Sequence, residues 1–119
     1  MQSSGSRLHV TEQNGVTKFE FLDRNILDEA NIQQIGEDIC QVIDAQPRPR
    51  ILISFKNVDH LSSAALGTLI TINNKVRAKD GQLRLAEIDP QIYEIFVITR
   101  LNKMFHIHET SPEAMASFA

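Results

Sequence analysis

Cysteine occurs once in the 119 residues, at Cys40. A single thiol excludes an internal disulfide and cannot supply a cysteine-rich metal site. Cys40 falls inside an apolar helical pattern, so a small side chain in or near the core is expected there. Long hydrophobic runs are lacking too. The longest wholly apolar one, Ile95-Phe96-Val97-Ile98, is far short of the roughly 20 residues of a membrane-spanning helix. The opening Met1-Gln2-Ser3-Ser4-Gly5-Ser6 has no apolar segment of the secretory kind. Cytoplasmic residence without a membrane partner is therefore expected. Positive charge is not in excess: 15 acidic against 12 basic residues leave a net charge of -3, which counts against direct nucleic-acid binding. No Walker loop and no Gly-x-Gly-x-x-Gly sequence occurs, so the chain should hold no nucleotide by those devices. Internal repeats and low-complexity linkers are also missing.

What is present is the composition of a soluble globular protein, 42% hydrophobic and 23% charged, at a length that suits one domain. Residues 1–7 are expected to be a flexible N-terminal segment and 8–119 the domain. Leu8 to Thr11 and Val16 to Leu22 have strand character around Asn14-Gly15, a hairpin-turn dipeptide. Ile32, Ile35, Ile39, Val42 and Ile43 place one apolar stripe on a helix from Asp28 to Gln46, which Pro47-Arg48-Pro49 ends. Arg50 to Phe55 is short, apolar and β-branched, as a strand buried on both faces should be.

Helical spacing resumes from Ser62 to about Asp80 through Leu66, Leu69, Ile70 and Val76, with Gly81 expected as the left-handed residue that closes the helix. A strand follows at Gln82 to Glu87. Asp89-Pro90 opens a third helix that runs on to Leu101. A short strand near Phe105 to Ile107 precedes a last helix, for which Ser111 is the expected cap and Pro112 the first turn. The order β-β-α-β-α-β-α-β-α implies an α/β fold: a small sheet with parallel pairing, covered by about four helices.

The chemistry concentrates at Asp59-His60-Leu61-Ser62-Ser63-Ala64-Ala65-Leu66-Gly67-Thr68, a strand-to-helix junction with two hydroxyls at a helix start. If Ser62 is the N-cap, its oxygen is occupied by the N–H of Ala64 or Ala65, and Ser63 is the freer hydroxyl. A cap displaced by one residue exchanges the two, and plain capping explains both serines without any further role. Asp59, His60 and Ser63 could suggest an acid, base and nucleophile, but there is no Gly-x-Ser-x-Gly elbow. His106 and His108 alternate along a strand and share a face, yet two ligands are too few for a metal. No metal and no cofactor are expected.

Leu27-Asp28-Glu29-Ala30, Val58-Asp59 with Leu61-Ser62-Ser63-Ala64, Ala78-Lys79-Asp80-Gly81-Gln82-Leu83-Arg84-Leu85, and Thr99-Arg100-Leu101-Asn102-Lys103-Met104-Phe105 occur in that order. Together they make the chain, from about Leu8 to Phe118, resemble the STAS domain of anti-sigma factor antagonists, also found at the cytoplasmic end of sulphate transporters. The resemblance implies a STAS-like fold with a small mixed sheet. It further implies a binding module rather than an enzyme, whose partner is an anti-sigma factor with serine kinase activity, reset by a serine phosphatase. ATP would then belong to the partner.

In the resemblance Ser63 takes the phosphorylated place, with Ser62 the alternative. Asp28, Asp59, Ser62, Ser63, Ala64 and Gly67 would meet the partner. The family often has aspartate just before the reactive serine and glycine two residues after it, where this chain has Ser62 and Ala65; Arg100 stands where glycine is usual. The surface around the third helix is therefore expected to differ from that of other antagonists. The other reading is a STAS scaffold or sensor in a larger signalling or transport complex, with Ser63 uninvolved in switching.

Overall fold

Asn14 and Gly15 both take positive φ, +54° and +80°, the pair of left-handed residues that a tight hairpin of two residues requires. They join β1 (Leu8–Gln13) to β2 (Val16–Phe21), paired antiparallel with Gln13 opposite Val16. The structure, a computed structural model, describes residues 8–118; the expected flexible segment 1–7 lies outside the described residues. Beyond the hairpin come β3 (Asn25–Ile26), α1 (Glu29–Asp44), β4 (Arg50–Ser54), β5 (His60–Leu61), α2 (Ser63–Ala78), β6 (Gln82–Ala86) and α3 (Pro90–Ile98). A 3₁₀ turn (Leu101–Lys103), β7 (His106–His108) and α4 (Ser111–Ala116) complete the chain.

The main sheet has the order β1-β2-β4-β6-β7, in which all pairs but the first are parallel. Strand alternation sorts the core into two unequal layers. Ile51, Ile53, Leu83 and Leu85 pack with Ile35 and Ile39 of α1, Leu69 and Ile72 of α2, and Phe96 of α3. Leu52 and Ala86 pack on the opposite face with Val16 and Ala114 of α4. The mixed α/β sheet with four helices is the expected one. Among the described residues, no helix is long and apolar enough to cross a membrane.

Three local expectations are corrected. Asp80, not Gly81, is the left-handed residue after α2, at φ +56°. Glycine is needed at 81 for a different reason: a Cβ there would lie 2.3 Å from the Pro49 carbonyl oxygen, which accepts the Gln82 N–H at 2.8 Å. The last helix is capped by Thr110, whose Oγ1 accepts from the Glu113 N–H at 3.2 Å, so that Ser111 is already helical. The third helix stops at Ile98, because Arg100 turns left-handed at φ +64° and starts the 3₁₀ turn. A glycine-like conformation is thus kept where the resemblance calls for glycine, with an arginine bearing its strain.

Candidate functional site

β3 and β5 are only two residues long, but their parallel ladder sets the geometry of the site. Asn25 pairs with His60 and Ile26 with Leu61. The Ser62 N–H then donates to the Ile26 carbonyl at 3.1 Å, and the Asp59 N–H to the Arg24 carbonyl at 2.7 Å. Each strand runs directly into a helix start, so the beginnings of α1 and α2 lie side by side. Two residues past the ladder stand Asp28 on one strand and Ser63 on the other.

Both starts are capped. Asp28 accepts the Asn31 N–H at 2.9 Å, and Ser62 Oγ accepts the Ala65 N–H at 3.2 Å. Ser62 is half-buried and committed to its helix; Ser63, the first helical residue, is exposed, and its hydroxyl has no hydrogen bond among the described residues. Ala64 and Gly67 are exposed as well, and a Cβ built on Gly67 would meet nothing within 4 Å. Positions three and four apart share a helix face, so Ser63, Ala64 and Gly67 form one low surface beside the hydroxyl. At the deeper side, a Cβ on Gly36 of α1 would lie 2.9 Å from Thr68 Cγ2; glycine there lets the two helices close up next to the site.

The carboxylate of Asp59 is engaged by Arg24, at 2.7 Å from Nε and 2.6 Å from Nη2. This pairing of residues far apart in sequence puts a cation beside Asp59 that no motif signals. Leu27 was likewise not singled out as a contact residue. It sits immediately before the Asp28 cap and is 52% exposed, whereas an apolar residue at that place often folds back onto its own helix. The alternation of His106 and His108 on β7 is as expected. Among the described residues, no group of three or more His, Cys, Asp or Glu is placed to hold a metal.

Two adjoining helix starts, each with a positive dipole end, tolerate a negative group at their mouth. Ser63 offers an accessible oxygen there, beside the exposed Ala64 and Gly67. Such an arrangement suits a protein that docks over the serine, and suits the addition of an anion to it.

Comparison with known proteins agrees with this fold. The sequence profile of the STAS domain matches residues 8–114. A Bordetella bronchiseptica protein, the candidate anti-sigma factor antagonist BtrV, is 25% identical over 95 residues, which are 80% of this chain and 81% of that protein. Among solved structures, an anti-sigma-factor antagonist STAS domain protein from Planctomyces limnophilus superposes with a TM-score of 0.85 at 19% identity, covering 95% of this chain and 97% of that one. The Bacillus cell fate determinant SpoIIAA in its phosphorylated form superposes with a TM-score of 0.69 at 17% identity, covering 92% and 96%.

Proposed function

The chain belongs to the STAS domain family, and on that premise we propose that it is an anti-sigma factor antagonist controlled by phosphorylation of Ser63. In its unmodified form it binds an anti-sigma factor that is also a serine kinase and so frees a sigma factor. The kinase then phosphorylates Ser63, the complex dissociates, and a serine phosphatase restores the binding form. The domain itself is a binding module, and cytoplasmic.

One observation carries the choice of serine: Ser62 Oγ is held by the Ala65 N–H at 3.2 Å, while the neighbouring Ser63 is exposed with no hydrogen-bond partner among the described residues. A phosphate adds about −1.5 to −2 charges. At a helix start the dipole favours such a charge by roughly 0.3–1 kcal/mol, so the fold survives modification. A partner lying over Ser63, Ala64 and Gly67 must instead enclose an unpaired dianion, at a cost of several kcal/mol. Inverting a 1:99 equilibrium takes about 5.5 kcal/mol, a change that one phosphate in a close interface largely supplies. Asp28 follows the ladder on the strand beside that of Ser63, Asp59 precedes it and pairs with Arg24, and the two carboxylates help the kinase recognise the segment.

The test is phosphate mapping. The purified chain is incubated with host lysate and ATP, then fragmented for mass spectrometry. One phosphate at Ser63, absent from Ser63→Ala, is the expected result. A phosphate on Ser62 moves the switch by one residue; an unmodified chain overturns the switch and favours the scaffold reading. Slower phosphoryl transfer in Asp28→Asn and Asp59→Asn is expected, and wild-type rates in both would remove the carboxylates from recognition.

A further inference from the structure

α3 is apolar on every side and buried on only one. It contains the longest apolar run of the chain, Ile95-Phe96-Val97-Ile98, and a helix that is hydrophobic all round is normally covered all round. Here Ile92 and Phe96, one turn apart, are the buried residues and join the core. Tyr93, Ile95, Val97 and Ile98 are exposed, Ile98 to 79%, and make up four of the eight large hydrophobic residues exposed among the described residues. By contrast, every isoleucine of α1 is buried. Single exposed apolar side chains are ordinary, but a contiguous group marks a contact surface. Residues three and four apart share a helix face, so Tyr93 adjoins Val97, Ile95 adjoins Ile98, and both Val97 and Ile98 lie one turn beyond Glu94.

The charges beside this face point to what covers it. Glu94 and Arg100 are both exposed, and neither side chain has an ion pair or a hydrogen bond among the described residues. They stand three residues before and three residues after Val97. Arg100 also holds φ +64°, a conformation that glycine adopts freely and arginine only under strain. Packing within one chain therefore favours glycine there, and strain of this kind concentrates at functional positions. A carboxylate in the middle of the face counts against burial in lipid.

We propose that α3 is the contact of a two-fold homodimer, in which two copies of the helix cross antiparallel at Val97. A two-fold axis there sets each Glu94 level with Arg100 of the second copy, so that two charge pairs flank an apolar centre made by Val97 and Ile98 of both copies. Such an isologous contact uses one patch twice, and a patch with an acid and a base equally spaced from its middle is complementary to itself. The helix is only about 13 Å long, so the contact belongs to the small, transient class below roughly 1,200 Å², and the dimer should form and dissociate with concentration.

The test is sedimentation velocity of the full chain at concentrations from about 10 μM to about 1 mM. A monomer–dimer equilibrium that salt weakens is expected. Ile98→Lys should weaken it more than tenfold and leave the melting temperature unchanged, since the side chain is exposed. Glu94→Arg and Arg100→Glu should each weaken it at least tenfold, because like charges then face each other, whereas an equimolar mixture of these two variants should associate about as well as the wild type. Arg100→Gly separates association from folding: in dilute solution its melting temperature should rise as the strain is relieved, while its dimer weakens. A chain that stays monomeric up to the highest concentration would overturn the inference and leave the face to a different protein, and a dimer that Ile98→Lys leaves intact would overturn it too. Charge variants that stay apart when mixed would overturn the pairing of Glu94 with Arg100.

Discussion

The starts of α2 and α4 are built to the same local plan and differ in what lies above them. In both, a hydroxyl residue caps the helix by accepting the N–H three residues on, at 3.2 Å: Ser62 from Ala65 and Thr110 from Glu113. In both, a serine follows as the first helical residue. Ser63 is exposed, whereas Ser111 is 7% exposed, its Oγ has no hydrogen-bond partner among the described residues, and its N–H donates to Glu87 at 3.0 Å. The same pair of residue types therefore leaves the second serine open at one end and packs it into a joint at the other. Tertiary surroundings, more than the motif, decide which serine hydroxyl is accessible.

A charge at each second serine separates the two most sharply. Ser111→Asp should cost on the order of 3 kcal/mol or more in chemical denaturation, because it buries a carboxylate beside that of Glu87. Ser63→Asp should leave stability within about 0.5 kcal/mol, or raise it slightly through the helix dipole. Equal losses would erase the contrast. The caps should behave alike: Ser62→Ala and Thr110→Ala are each expected to lower stability by about 1 kcal/mol. A negligible loss at Ser62 would mean that its hydroxyl is as free as that of Ser63.

Smaller effects sharpen the comparison. Ser111→Ala removes a buried hydroxyl without a partner, so the change should lie between neutral and about 1 kcal/mol of stabilisation; a clear loss would reveal a hydrogen bond. The Arg24–Asp59 pair stands in the open, at 75% and 41% side-chain exposure, and Asp59→Asn should cost at most about 1 kcal/mol, less in high salt. Ser63→Ala should be the quietest change, within about 0.5 kcal/mol.

The capping at Ser62 was legible because its rules are local: a cap oxygen, the N–H three residues on, then an apolar stripe. The same rules missed Thr110, since Thr110 and Ser111 are both acceptable caps and packing against Glu87 and the sheet chooses between them. Apolar periodicity was enough for the first three helices, the cap-and-proline signal for the last, and a short apolar run for β4, whose Ile51, Leu52 and Ile53 are buried on both faces. It could not reveal the ladder of β3 and β5, which has only two residue pairs and no alternation to detect. That ladder, with the Arg24–Asp59 pair, assembles the site from segments far apart in sequence. Gly81 was noticed for the right residue type and the wrong cause, because its close approach to Pro49 exists only in the folded chain.

The central claim is that the charge state of Ser63 decides partner binding. It is tested most directly by affinity capture from the native host's lysate with Ser63→Ala and Ser63→Asp as paired baits, and Ser111→Ala as the control. Retention of an ATP-binding serine kinase by Ser63→Ala and by the control, with its loss from Ser63→Asp, is the predicted result. Retention of the same proteins by all three baits would contradict it.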